Sequence, residues 1–162
     1  MGGQGHERPP GAMGARLTIG RSRAAAAAVL ALAIALAAHA SRSLSTPVDE
    51  FGRIVTGLAY LRVHDYRMDF ATPPLAKYVV AAPLLAKDVN LALDHPTWQA
   101  VQDREWMDAV AYEAGNDPLE IIRLGRAPML LYLAALGALV FTWTRRLYGP
   151  SAALLATAVF AL

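Results

Sequence analysis

The sequence contains no cysteine, which removes disulfides, thiolate nucleophiles and cysteine-ligated metals together. Charge is scarce as well. Asp, Glu, Lys and Arg make up 17% of the 162 residues, and the formal net charge is only +2. The basic residues are dispersed and not interleaved with aromatics, so the electrostatic footprint of nucleic-acid binding is missing. There is no Gly-rich phosphate loop and no G-x-S-x-G elbow. His39, His64 and His95 stand at no mutual metal-ligand spacing, so a divalent metal cofactor finds no support in the pattern and no metal-binding residue is assigned.

What the chain has in quantity is apolar sequence, and it comes in blocks. Hydrophobic residues reach 56%, most of them in two long uncharged runs and the beginning of a third, which is the pattern of a membrane protein. Residues 24–40 form the first run, an Ala-rich segment with Val29, Leu30, Leu32, Ile34 and Leu36 and without Asp, Glu, Lys or Arg. It is short for a spanning helix, and its small side chains suit close packing against other helices. Residues 1–23 are rich in Gly, Pro and Arg, lack apolar periodicity, and read as a disordered tail in which Met13 is an alternative start. Arg8, Arg16, Arg21 and Arg23 outweigh Glu7, which assigns the tail to the cytoplasm. The same arginines, the apolar run and Ala38-His39-Ala40 before Ser41 also fit a cleaved signal peptide. Either reading sends the following residues out of the cytoplasm.

Residues 41–126 are the polar middle, an extracytoplasmic loop with nine Lys/Arg against twelve Asp/Glu. Thr46 as N-cap and Pro47 as first helical residue predict a helix, with Phe51, Val55 and Leu58 as its apolar stripe. His64-Asp65-Tyr66-Arg67 reads as a turn, and Pro73-Pro74 opens a second helix bracketed by Lys77 and Lys87. That helix is too short to span and is expected to lie in the headgroup plane, its lysines snorkelling to the polar side. From Leu91 to Asn116 the expectation is loop with one short helix over residues 99–112. Residues 127–144, entered by Pro128, form the second span. It ends at Trp143, Arg145, Arg146 and Tyr148, an aromatic belt with paired positive charge that favours the cytoplasmic side. Residues 145–150 make a hairpin at Gly149-Pro150, and 151–162 read as the truncated start of a third span, the chain being an N-terminal fragment of a longer multi-span protein.

Among the charged side chains, Asp49 and Glu50 are the first carboxylates beyond the first run. A carboxylate there can act as a general base while its neighbour orients a second group, although adjacent residues on a helix point about 100° apart. The structural alternative is a helix-terminal carboxylate favoured by the helix dipole and paired to Arg53, four residues after Asp49. Lys77, Arg123 and Arg126 are the candidate anion ligands. Arg123 and Arg126 share a helix face just before the second span, where a lipid phosphate would sit. Their structural alternative is membrane-edge anchoring, or pairing of Arg123 with Glu120.

Taken in order, these pieces resemble the membrane glycosyltransferases of family 39, which include the dolichyl-phosphate-mannose–protein mannosyltransferases and the lipid A aminoarabinose transferases. The residues that carry the resemblance are Asp49-Glu50 after the first span, Gly57-Leu58-Ala59-Tyr60-Leu61, Asp65-Tyr66-Arg67, Pro73-Pro74-Leu75-Ala76-Lys77, Arg126-Ala127-Pro128-Met129 and Arg145-Arg146-Leu147-Tyr148-Gly149. Where the family usually has His before the Pro-Pro, this chain has Thr72. The resemblance implies an all-α membrane protein with the GT-C fold, a multi-span helical bundle whose first extracytoplasmic loop carries interfacial helices. It implies that the first apolar run is retained as a transmembrane helix. It also implies a hexosyltransferase acting in protein glycosylation or a related pathway. The donor would be a sugar on a polyprenyl phosphate held in the membrane lipid, the acceptor a hydroxyl on protein, lipid or glycan, and the catalytic carboxylate Asp49 with Glu50 in support. Lys77, Arg126 and Arg123 are the expected donor-phosphate ligands. Two other classes remain open on the residues alone: a non-enzymatic membrane-anchored protein with an extracytoplasmic interaction loop, and the opening segment of a transporter. The lack of ionisable groups in residues 24–40 weighs against the transporter.

Overall fold

The computed structural model describes residues 11–43 and 48–161, and all regular structure among them is helical. Thr46 and Pro47, the expected start of the second helix, lie outside the described residues, as do residues 1–10. Helix α1 runs Gly11–Ser43, α2 Val48–Val63, α3 Pro74–Ala81, α4 Pro96–Gln99, α5 Asp103–Asp108, α6 Pro118–Tyr148 and α7 Pro150–Ala161. A 3₁₀ turn, Ala82–Ala86, extends α3, and a π turn, Ala109–Glu113, extends α5. The parts of α1 from Gly20 to Ser43 and all of α6 are long and apolar enough to cross a membrane. This agrees with the all-helical, membrane-associated reading.

Several boundaries differ from expectation for local reasons. Helix α1 already exists at Gly11, so the segment from there to Arg23 is not an irregular tail. Its Ala, Arg, Met and Leu residues are strong helix formers, which outweighs the missing apolar periodicity. Helix α6 begins nine residues before the expected span. Asp117 Oδ1 accepts from the Leu119 and Glu120 backbone N–H groups at 2.9 and 3.3 Å, and Pro118 supplies the first helical residue. Pro128 therefore lies inside the helix instead of opening it. The single helix expected over residues 99–112 is instead broken between α4 and α5, where Val101 adopts φ +56°.

Contacts divide the chain into two units. One comprises Ala38–Tyr132, the other the remainder of α1, the rest of α6 and α7. In the second, Ala26, Phe141 and Ala153 are buried together, and a Cβ on Gly137 would stand 2.3 Å from Leu30 Cδ2. Such close approach is what small residues allow between apolar helices.

The unit Ala38–Tyr132 has its core on α2. Ile54, Val55, Leu58 and Ala59 are buried against Ala81 and Leu84 of the α3 segment and against Trp98 and Trp106. The two indoles meet at 4.9 Å between centroids, and Trp106 Nε1 donates to the Leu91 carbonyl at 2.8 Å, so this polar-looking stretch is held by aromatic packing. Gly57 is the contact point of α2 with α3, because a Cβ there would lie 2.3 Å from the Lys77 carbonyl oxygen. Arg62 closes the segment after α3 by donating to the carbonyls of Val89 at 2.6 Å, Leu84 at 3.1 Å and Lys87. In the turn after α2, Arg67 donates to Asp65 across 2.7 Å and holds that carboxyl below the usual carboxylate range.

Candidate active site

Asp49 stands in the first turn of α2 with its side chain 75% exposed, and Arg53 one turn later approaches it to 3.6 Å. That long, exposed contact is a surface pair and leaves the carboxylate available. Asp49 and Arg53 form one wall of an open cleft of about 320 Å³ whose other polar walls are Asp69, Thr72, Asp103 and Arg104.

The floor of this cleft is organised by Asp69, a residue that sequence reasoning did not single out. Its backbone sits at φ +46°, a left-handed conformation that aspartate tolerates better than most residues. The N–H, the carbonyl and carboxylate Oδ2 of Asp69 are all engaged. Its carboxylate receives the Thr72 hydroxyl at 2.7 Å and the Lys77 ammonium at 2.9 Å, and its N–H donates to Asp103 Oδ2 at 3.1 Å. Its carbonyl accepts from Lys77 as well. Lys77 is only 2% exposed, donates to the Tyr60 hydroxyl at 3.2 Å and lies 4.9 Å from the Tyr60 ring centre. Tyr60 in turn donates to the Met68 carbonyl at 2.5 Å.

Lys77 is therefore neither a snorkelling lysine nor an open anion ligand, as the sequence led one to expect. A buried ammonium must be paired and hydrogen-bonded, and here three acceptors satisfy it. The signal was present, since an unaccompanied lysine on an apolar helix face needs a carboxylate and Asp69 is among the nearest in the chain. Thr72 has a defined role too, its hydroxyl fixing the Asp69 carboxylate.

Glu50 points away from the cleft and makes a fork with Arg126. The Nε–Oε1 and NH2–Oε2 distances are 2.7 and 2.6 Å, and Arg126 NH1 also donates to the Ser41 carbonyl at 2.7 Å. Arg126 thus joins the end of α1, the start of α2 and α6, and the expected phosphate ligand is engaged with Glu50 and Ser41. Arg123, on the same helix, is exposed and forms no ion pair with a described residue. Glu120 is taken by Lys87 at 2.6 Å and not by Arg123. The structure brings none of the three proposed phosphate ligands to the walls of the Asp49 cleft, although Lys77 lies behind it on Asp69.

It brings Arg104 instead. This exposed guanidinium on α5 lines the Asp49 cleft and also a second, more apolar groove of about 640 Å³ that includes Phe51, Met107 and Leu119. Sequence reasoning missed it because α5 carries no motif and its register depends on the packing of Trp106. Among the described residues no group of three or more His, Asp or Glu is arranged to hold a metal ion. His95 caps α4 through its ring nitrogen, 2.7 Å from the Thr97 hydroxyl, and faces Glu113 at 3.5 Å. Comparison of the chain with family models, with curated proteins and with solved structures finds no match.

Proposed function

We propose that this chain belongs to an integral membrane glycosyltransferase of the GT-C type, one that moves a mannose-like sugar from a polyprenyl phosphate to an acceptor hydroxyl on the extracytoplasmic side. The observation that carries the reading is Asp49. It is an exposed carboxylate in the first turn of a helix, at the mouth of a polar cleft, a few residues beyond a helix long and apolar enough to cross a membrane. The ordered resemblance of the sequence to family 39 supports the same reading.

In that reaction the acceptor oxygen attacks the anomeric carbon as Asp49 takes its proton. The bond from that carbon to the phosphate oxygen breaks, and its electron pair leaves on the lipid phosphate. A single in-line displacement inverts the anomeric centre. A cation beside the phosphate lowers the barrier by meeting the charge that develops there. Asp69, Thr72 and Asp103, bound to one another, form the polar floor of the cleft beside Asp49, and the Glu50–Arg126 fork holds the first turn of α2 in place.

The test is Asp49→Asn in membranes containing the protein, assayed for transfer from a polyprenyl-phosphate sugar. Turnover should fall by about 10²–10⁴-fold, with the apparent donor Michaelis constant and the thermal midpoint near those of the parent. Normal turnover in a folded Asp49→Asn protein would reduce Asp49 to a helix-terminal charge.

A further inference from the structure

In the unit that holds most of α1, the later part of α6 and α7, every charged side chain among the described residues is an arginine. Arg21 and Arg23 lie at the start of the apolar stretch of α1, and Arg145 and Arg146 in the last turn of α6. Arg21, Arg23 and Arg146 are exposed and Arg145 is half-buried. None of the four forms an ion pair with a described residue. Helix packing sets the two pairs at one level. Leu30 abuts Gly137, and one turn earlier on α1 Ala26 shares a core with Phe141, one turn later on α6. The helices are therefore antiparallel, and a further turn in the same direction sets residues 21–23 beside residues 144–146. Gly149, at φ +89°, then reverses the chain, so that α7 starts at this end with Ala153 in the same core. Its first backbone N–H groups add positive partial charge to that of the arginines.

Beside the cluster an open groove of about 350 Å³ runs along α6, lined by Leu139, Thr142, Trp143, Arg146 and Leu147. Leu139, Trp143 and Leu147 are exposed. The Thr142 hydroxyl is spent on its own helix, donating to the Ala138 carbonyl at 2.8 Å, which leaves Arg146 as the polar end of the groove. We infer that the four arginines form the headgroup site of an anionic phospholipid with two phosphates, of the diphosphatidylglycerol class, and that one of its acyl chains lies in this groove. The inference does not depend on the transferase reading. Four guanidinium groups this close repel one another, and two phosphates offset more of that charge than one. The cluster sits where two helices able to cross a membrane reach their ends, so lipid phosphates are the anions at hand. Guanidinium donors match phosphate oxygens in pairs, and Trp143, one turn before Arg146, is the ring type that settles at headgroup level. A soluble anion would use the arginines and leave the groove empty.

The experiment titrates the protein, in a non-ionic detergent, with diphosphatidylglycerol, phosphatidylglycerol and phosphatidylcholine of matched chains, and counts bound lipid by native mass spectrometry. Inorganic pyrophosphate serves as the lipid-free competitor. The parent should bind diphosphatidylglycerol about ten- to a hundredfold more tightly than phosphatidylcholine, with phosphatidylglycerol between them and pyrophosphate a poor competitor. The pair Arg21→Gln and Arg23→Gln, and the pair Arg145→Gln and Arg146→Gln, should each reduce that preference about tenfold or more. Their lipid-free thermal midpoints should stay near the parent's, since none of the four is ion-paired. Trp143→Ala should weaken all three lipids alike. Arg42→Gln with Arg123→Gln removes the same charge away from the cluster and should keep the preference. No preference for the two-phosphate lipid over either of the others would overturn the assignment. So would an unchanged preference in both cluster pairs, an equal loss in the Arg42 and Arg123 control, or pyrophosphate competing as well as the lipid.

Discussion

Glu50 and Arg126 are joined by two parallel hydrogen bonds of 2.7 and 2.6 Å, although 76 residues separate them in the chain. The pair divides the labour of two adjacent carboxylates. Glu50 is turned to the helices behind it, which leaves Asp49 alone facing the cleft. Adjacent residues on a helix cannot both face one point, so a structural role for one is the natural partner of a chemical role for the other.

The first consequence is a coupling between these two residues in stability and not in donor binding. Both side chains are less than a third exposed, at 15% for Arg126 and 27% for Glu50. A double-mutant cycle of Glu50→Gln and Arg126→Gln should give an interaction of about 1.5–3 kcal/mol in unfolding free energy. Arg126→Lys should fail to restore it, because an ammonium cannot reproduce the fork. Additive losses within about 0.5 kcal/mol would show that the fork contributes no more than a surface pair.

Lys77 should behave as a buried structural cation. Removing it leaves Asp69 without its partner, so Lys77→Met should lower unfolding free energy by about 3–5 kcal/mol or prevent accumulation of the protein. Lys87→Met breaks only the exposed pair with Glu120 and should cost about 1 kcal/mol or less. The contrast is read in thermal unfolding. A stable Lys77→Met protein with a raised donor Michaelis constant would instead return Lys77 to the role of anion ligand.

Two glycines of α2 should respond differently to alanine. At Gly57 the new methyl would meet backbone, the Lys77 carbonyl oxygen and carbon at 2.3 and 2.7 Å, and α3 would have to move. At Gly52 it would meet the Met107 sulfur at 2.3 Å, the far part of a flexible side chain. Gly57→Ala should therefore cost about 1–3 kcal/mol beyond Gly52→Ala, which the gain in helix propensity keeps near neutral. Equal midpoints for the two would mean that α2 and α3 are not in fixed contact.

The orientation proposed for the loop can be read with single cysteines, since the native chain contains none. Asp94→Cys, at an exposed position of the Ala38–Tyr132 unit, should react with an impermeant thiol reagent in intact cells. Arg146→Cys, in the last turn of α6, should react only after permeabilisation. The reverse pattern would invert the proposed topology and place Asp49 on the cytoplasmic face.

What the sequence by itself determined is what depends on neighbours along the chain. Uncharged runs marked the helices able to cross a membrane, Phe51, Val55 and Leu58 at helical spacing marked the buried face of α2, and Pro74 marked the start of α3. The Asn116-Asp117-Pro118 start of α6 was equally local and legible by the same logic, though the apolar run beginning at Ala127 drew the boundary later. Only the tertiary structure decided which charges were spent and which were left. Lys77 reads in sequence as an open cation and is sealed against Asp69 and Tyr60. Arg126 reads as a membrane-edge arginine and is forked to Glu50, while the unremarked Arg104 is left between two clefts. The reason is desolvation. A charged group taken from water must find a partner at hydrogen-bonding distance, and which partner reaches it is set by how helices distant in sequence pack, not by spacing along any one of them.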